Sequence, residues 1–441
     1  GHTVSNPKKE DLPVLMKNVD LTSITLTKSQ EKAKKRIIDW FYHSKHSQNQ
    51  VFRLGSPAGY GKTTLVKYIL DELDLKQSEC YVVAYTGQAV NVLRQNGIFA
   101  KTIHSTFMEQ YEVPLRIHGR IVYRRGIEVM ITKFRPKKRI PSSVRLVVCD
   151  EASFLPADLE EIIRRYDVPI LEVGDPFQLP PGAGRQCCNM ENLDVILTEV
   201  VRQNKDSEIL DLATRIRNGD KIKPNKYHND VRFLIGRKDP EDAFYRYYSF
   251  FTKNDIIITT NNADRDKLNT AYRTAVLKTN NPYPLEGERL ICRRNEWNIE
   301  LDEFPLTNGT QGYARNTITE SDIIRKDNSF ILDFTPTFFE SEDKFYGSLR
   351  CDADYIKMEH FKKKDLGFQI KQGPMKFEYA HAITTHLSQG STYDSIVFVD
   401  RYLGYFDENY AARLRYTAIT RARKRVVYVL DHNYKDIPRI V

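Results

Sequence analysis

The sequence predicts an α/β chain built from two series of parallel βα units, each interrupted by a β-rich insertion. Three observations carry this. A glycine-rich loop, Ser56-Pro57-Ala58-Gly59-Tyr60-Gly61-Lys62-Thr63-Thr64, stands between an apolar run at 51–54 and a stripe at helical spacing, Leu65, Val66, Ile69, Leu70 and Leu73. A second series opens near Asp255, with a strand over 255–260 and a helix over 263–272. Two stretches, 108–143 and 313–378, lose the βα rhythm.

Strand, glycine loop and helix together make a phosphate cradle. Gly59 and Gly61 let backbone N–H groups turn inward around a triphosphate, and the new helix aims its positive end at the same charge. Lys62 would reach the β- and γ-phosphates of ATP, and the Thr63 hydroxyl would hold Mg²⁺. The motif usually opens on Gly, and here that position is Ser56, which fits if its φ stays negative.

Composition sets the bounds. The chain has 441 residues, 41% hydrophobic and 28% charged, enough for two or three domains with real cores. It opens Gly1-His2 without Met, as a tag scar or a trimmed fragment would. No apolar run approaches transmembrane length and no secretory h-region opens the chain, so no membrane partner is expected. Six scattered cysteines without Cys-x-x-Cys argue against a zinc ribbon or a disulfide framework and suit a reducing cytoplasm. A net charge of +9 suits a polyanionic partner.

In chain order, residues 1–20 read as a loose polar arm. Thr27 looks like an N-cap for the amphipathic helix that follows, and Gln30 could read adenine, because an amide both donates and accepts. A strand near 81–85 runs into Thr86-Gly87-Gln88-Ala89, and a second short block holds Thr102 to Phe107 with His104. Residues 115–124 alternate around His118-Gly119 and read as a β-hairpin, followed by a basic loop from Lys133 to Arg139. Rhythm returns in a strand that ends in Asp150-Glu151, where Asp150 would hold Mg²⁺ and Glu151 would polarise the attacking water. The next strand ends near Gln178, placed to sense a γ-phosphate. Arg202, the Thr384 to Thr392 block with His386 and Gly390, and Arg421 follow, an arginine near the phosphates being able to stabilise charge developing there.

Taken in order, these blocks resemble superfamily 1 helicases, and within them the RecD-like branch and the Dda-type DNA helicases of tailed phages. The resemblance covers most of the chain. It implies two RecA-like P-loop NTPase domains, with a β-hairpin insertion in the first and a small β-barrel-like insertion in the second. The expected bounds are 1–20 for the arm, 21–220 for the first domain and 221–441 for the second. It implies ATP and Mg²⁺ as cofactors, single-stranded and forked DNA as partners, 5′→3′ translocation, a monomer, and a cytoplasmic setting in a bacterial or phage-infected cell. Carried over by motif, Gln30, residues Ser56 to Thr64, Arg202, Gly390 and Arg421 bind the nucleotide. Lys62, Asp150, Glu151, Gln178, Arg202 and Arg421 serve catalysis, and Thr63 and Asp150 hold the metal. Thr86, His104, Thr384 and His386 fall in blocks that touch the DNA strand, and the hairpin at His118 is the pin that splits the duplex. One departure is Leu387, where the family often carries Lys.

Three other readings share parts of this set. A viral-type RNA helicase carries the same motifs. A translocase can remodel protein–DNA complexes without unwinding. A P-loop protein can act as a nucleotide-dependent binding module, against which Glu151 and the two arginines speak.

Overall fold

The computed structural model describes residues 12–181, 188–363, 373–401 and 408–432. The described residues fall into two compact units, one from 1–176 and 183–199, the other from 177–182 and 200–441.

The first unit opens with α1 (Lys28–His43), β1 (Val51–Gly55), α2 (Lys62–Leu73), β2 (Cys80–Ala84), α3 (Gly87–Gln95), β3 (Ala100–Thr102) and α4 (Ile103–Phe107). A capping box starts α1: Thr27 Oγ1 accepts the Gln30 N–H at 3.2 Å, and Gln30 Oε1 accepts the Thr27 N–H at 2.8 Å. The hairpin excursion follows as β4 (Met108–Pro114), β5 (Arg116–Ile117), β6 (Arg120–Ile121), β7 (Tyr123–Arg124), β8 (Ile127–Glu128) and β9 (Met130–Pro136). The chain then makes β10 (Leu146–Asp150), α5 (Ala157–Arg164), β11 (Ile170–Gly174) and β12 (Val195–Ile196). The sheet order is β12-β1-β11-β10-β2-β3, parallel at every pairing. Helices cover such sheets on both faces, which is why β10 and β11 are apolar runs buried along their whole length. One charged cluster interrupts this core. Arg53 sits in register opposite Glu172, with Nε 3.2 Å from Glu172 Oε1 and Nη2 3.4 Å from Glu160. Burial, then the neighbouring Glu160, push the Glu172 carboxyl up to about 8.

Three expectations change here. Residues 1–11 of the predicted arm lie outside the described residues, but 13–15 are docked: Val14 and Leu15 are buried, and Pro13 and Leu15 bridge to Lys76 and Ile98. Two apolar side chains in a polar stretch suffice to anchor it. The hairpin is also far longer than 115–124. β4 and β9 pair antiparallel from Met108↔Pro136 to Pro114↔Met130, and the β5–β6 and β7–β8 hairpins form its tip. The tip turns at His118-Gly119 and Arg125-Gly126 all have positive φ, as two-residue hairpin loops require. The basic run from Lys133 is therefore largely strand, and Arg135 pairs with Glu109 across the ladder.

The second unit holds α6 (Glu208–Arg217), β13 (Val231–Ile235), α7 (Pro240–Arg246), α8 (Tyr248–Lys253), β14 (Ile256–Thr259) and α9 (Asn262–Ala275). It continues through β15 (Arg289–Cys292), β16 (Glu296–Leu301), β17 (Phe304–Leu306), β18 (Gln311–Ala314), β19 (Ser329–Pro336), β20 (Tyr346–Asp352), α10 (His360–Lys363) and β21 (Phe377–Tyr379). It ends with β22 (Ala382–Thr384), α11 (Thr385–Ser388), β23 (Tyr393–Val399), α12 (Glu408–Ile419) and β24 (Ala422–Leu430). Its parallel sheet runs β13-β24-β23-β14-β22. Both units are thus RecA-like α/β sheets. An antiparallel sheet, β20-β19-β18-β15-β21, grows from the second and packs its own core of Leu290, Phe330, Leu332, Phe334 and Phe377. This insertion begins at β15, not at 313, because β15 carries one edge strand of its sheet and pairs with β21. The expected boundary at 220/221 also moves, to 199/200: Ile209, Leu212, Ala213 and Ile216 of α6 are buried in the second unit, against α12 and β24.

Glu208, in the first turn of α6, organises the connection that follows. Its carboxylate accepts the N–H groups of His228, Asn229, Asp230 and Val231 at 2.7–3.2 Å. Partial burial opposes ionisation, but these four bonds win and hold its pKa below the ordinary 4.5. A carboxyl lowered by folding stabilises above its unfolded value and loses that contribution as pH falls through the folded one. Glu208→Gln is expected to cost about 1–2 kcal/mol at pH 7. Urea midpoints of the two chains should converge below pH 4.5; a gap of equal size at acid pH would contradict this.

Candidate active site

β1 delivers the glycine loop and α2 starts at its end. Gly59 and Gly61 adopt φ of +82° and +79°, which an L side chain rarely takes, while Ser56 is absent from the positive-φ residues. Ser56 is therefore compatible with the opening position, and its N–H donates to Gly174 O at 2.8 Å. Gly174 in turn has no room for a side chain, since a Cβ there would stand 2.7 Å from the Ser153 backbone nitrogen. Strand ends, loop and acids are thus packed backbone to backbone. Pro57 and Tyr60 are buried and Ala58 half-buried; Thr63 and Thr64 stand half-buried on the first turn of α2.

The two acids arrive from the end of β10. Lys62 Nζ lies 2.6 Å from Glu151 Oε1 and 3.2 Å from Asp150 Oδ1. Burial pulls the Lys62 ammonium down, and the two carboxylates more than offset it, leaving it above its ordinary value. Burial raises Asp150 despite the lysine. Asp150 Oδ1 is buried and faces the Lys62 ammonium at 3.2 Å, a carboxylate oxygen that suits a metal ligand once the lysine turns to phosphate. Among the described residues no cluster of three or more His, Cys, Asp or Glu could hold a metal alone. Mg²⁺ needs no such cluster, since it binds through one or two protein ligands plus phosphates and water. Thr63 and Asp150 fit that mode. Glu151 itself sits at φ +53°, a strained backbone for a long side chain.

Gln30 stands beside the glycine loop. It is 1% exposed, its carbonyl accepts the Thr27 N–H, and its amine donates to Gly61 O at 3.0 Å. The amide ties the start of α1 to the glycine loop.

In the second unit Arg421 is 4% exposed. Its guanidinium donates to Thr417 O at 2.9 Å, Ser391 O at 3.2 Å and Thr420 Oγ1 at 3.3 Å. Among the described residues it makes no ion pair, so a buried cation is held by neutral oxygens alone. Arg202 is exposed on a 3-10 turn at 202–204, and Gly390 follows α11 with φ +78°. Gln178 is half-buried and belongs to the second unit.

The residues expected to touch DNA stand at helix starts, with one exception. Thr86 and Thr384 are N-caps, each accepting a backbone N–H from its helix. His104 lies on α4, where burial pushes its imidazole down to about 4, so at neutral pH it offers a hydrogen bond and no charge. His386 is also lowered by burial, and its Nε2 lies 2.9 Å from Tyr410 Oη. His118 is the exception, exposed at the hairpin tip. Sequence reading missed Thr417 and Arg413 of α12 and Gln389 at the end of α11, which reach the loop carrying Gln178; in the sequence they carry only an ordinary core-and-surface pattern.

Comparison with known proteins fits this geometry. An AAA domain family matches residues 25–235, and a UvrD-like helicase C-terminal domain family matches residues 379–429. The "ATP-dependent DNA helicase dda" of Enterobacteria phage T4 is 23% identical, over 93% of this chain and all of that one. An uncharacterized protein of Methanocaldococcus jannaschii is 24% identical over 88% of this chain and 37% of its own length. The crystal structure of a Bacteroides Pif1 helicase in complex with ADP-AlF3 and ssDNA superposes with a TM-score of 0.49 at 19% identity, over 92% of each chain. An AAA domain in the first half and a UvrD-like helicase C-terminal domain near the end, in a chain that aligns with the whole of a phage DNA helicase, make this protein similar to superfamily 1 helicases of the Dda type.

Proposed function

We propose that the chain is an ATP-dependent DNA helicase that moves 5′→3′ along single-stranded DNA and separates a duplex ahead of it. The observation that carries the reading is the convergence of Lys62, Asp150 and Glu151 at the mouth of a glycine loop. A binding module has no use for an acid held beside the lysine in a strained backbone, whereas hydrolysis needs one. Magnesium bound with ATP would screen phosphate charge. On binding, Lys62 exchanges Glu151 for phosphate oxygens, and Glu151 is released to orient water. Arg202 and Arg421 carry the charge that builds on the γ-phosphate, and Gln178 registers its loss. Gln30 reads adenine through the second N–H and the second lone pair of its amide.

The hairpin supports the pin assignment. Its tip exposes Ile117, Tyr123, Ile127 and Met130 among Arg116, Arg120, Arg124 and Arg125. Apolar faces can stack on a terminal base pair, while arginines hold the backbone. The N-cap threonines and neutral histidines suit backbone contacts that ignore sequence.

The test is unwinding of duplexes bearing a 5′ or a 3′ single-stranded tail, made of DNA or RNA, with ATP and Mg²⁺. We expect opening of the 5′-tailed DNA at least about tenfold faster than the 3′-tailed form, the size of a well-placed directional discrimination. Preference for the RNA tail would move the assignment to RNA, and ATP turnover without opening of any substrate would leave a translocase.

A further inference from the structure

The loop that carries Gln178 is held by its neighbours at four backbone polar groups. Within the second unit, Arg413 Nη1 donates to Gln178 O at 3.1 Å. The Leu179 N–H donates to Thr417 Oγ1 at 2.9 Å. Gln389 Nε2 donates to Leu179 O at 2.7 Å and reaches Pro180 O at 3.4 Å. One residue earlier, the Phe177 ring meets Tyr416 edge-on at 6.0 Å, and the Arg217 guanidinium covers it at 4.7 Å. Leu179 and Thr417 are 0% exposed, so these bonds do not compete with water.

Thr417 is the hub. Its hydroxyl takes the Leu179 N–H, and its carbonyl takes Arg421 Nε at 2.9 Å. Thr420 Oγ1 donates to Tyr416 O at 2.8 Å, with the Thr417 carbonyl second at 3.1 Å, and accepts from Arg421 Nη2. Two bonds therefore separate the backbone beside Gln178 from the guanidinium of Arg421, both on one buried residue of α12. We propose that Thr417 is a positioning residue that locks the Gln178 loop and Arg421 into one body, so that glutamine and arginine change place together. This rests on the roles given to Gln178 and Arg421 above, and assigns the link between them. A hydroxyl is needed because Leu179 N–H demands an acceptor in a site without solvent. The Gln389 and Arg413 bonds then fix the loop's direction.

Thr417→Val keeps the shape and removes the acceptor. We expect the kcat of single-strand-stimulated ATP hydrolysis to fall about tenfold, the kinetic equivalent of one unpaired buried N–H. KM for ATP should change little, because the glycine loop is untouched. Base pairs opened per ATP should fall as well, and Thr417→Ser should restore both. A residue that served only packing would lower the melting temperature and leave kcat unchanged well below it. A folded T417V chain with wild-type kcat and wild-type opening per ATP overturns the proposal. If T417V is recovered unfolded, Gln389→Leu releases Leu179 from its other side and is held to the same criteria. A wild-type chain without stimulated turnover would overturn the function proposed above and this link with it; a stimulated wild type beside an equally fast T417V overturns the link alone.

Discussion

Lys62→Ala lowers ATP turnover by at least about two to three orders of magnitude, the cost of losing one preorganised donor to developing charge. Single-strand binding is expected to persist within a few-fold, because the threonines and histidines of the DNA blocks do not contact Lys62. The substitution has a second consequence that the geometry makes explicit. Glu151 and Asp150 lie 2.6 and 3.2 Å from the ammonium, and without it two adjacent carboxylates lose the cation they share. A thermal melt therefore belongs beside the assay, so that lost turnover is read on folded protein. Steady-state hydrolysis with saturating poly(dT), with binding followed by fluorescence anisotropy, settles it. Turnover near wild type would break the assignment of the loop.

Arg421→Ala is expected to slow hydrolysis about a thousandfold while changing ATP affinity far less. The asymmetry follows from when the charge is needed. Interactions that strengthen only as charge moves onto the transferring group appear in kcat rather than in binding. The present partners of Arg421 are neutral oxygens, so the cation is already desolvated and oriented, with no carboxylate to leave. Arg421→Lys should fall between the two, since it keeps the charge but cannot span the same carbonyls. Single-turnover hydrolysis separates the steps from product release. Equal chemistry in the alanine variant would remove the finger role.

The glycine loop was legible because its flanks were: an apolar run before it and a helical stripe after it leave few alternatives. The paired acids were legible for the same reason, at the end of a run buried on both faces. The hairpin was half legible. Its tip turn at His118-Gly119 was read, but the ladder below it alternates Glu109, Glu112, Lys133 and Arg135 with modest apolar residues. A ribbon wet on both faces has no hydrophobic side to announce it. The docking of Val14 and Leu15 and the early start of the antiparallel sheet at β15 failed for a related reason: short segments take their structure from what they pack on. Buried charges were illegible outright. Arg53 meets Glu172 across 119 residues, and Arg265 meets Glu378 across 113. Composition cannot show such pairs. The capping box of Thr27 and Gln30 is local and stands in the sequence, whereas the bond from Gln30 to Gly61 crosses 31 residues and does not.

That amide leads to one more consequence. With its oxygen on Thr27 and its nitrogen on Gly61, Gln30 braces the phosphate cradle from outside. An arriving base meets an amide that still has one N–H and one lone pair to give, so a base bound there would join the two hydrogen bonds already made and tie its own capture to the start of α1.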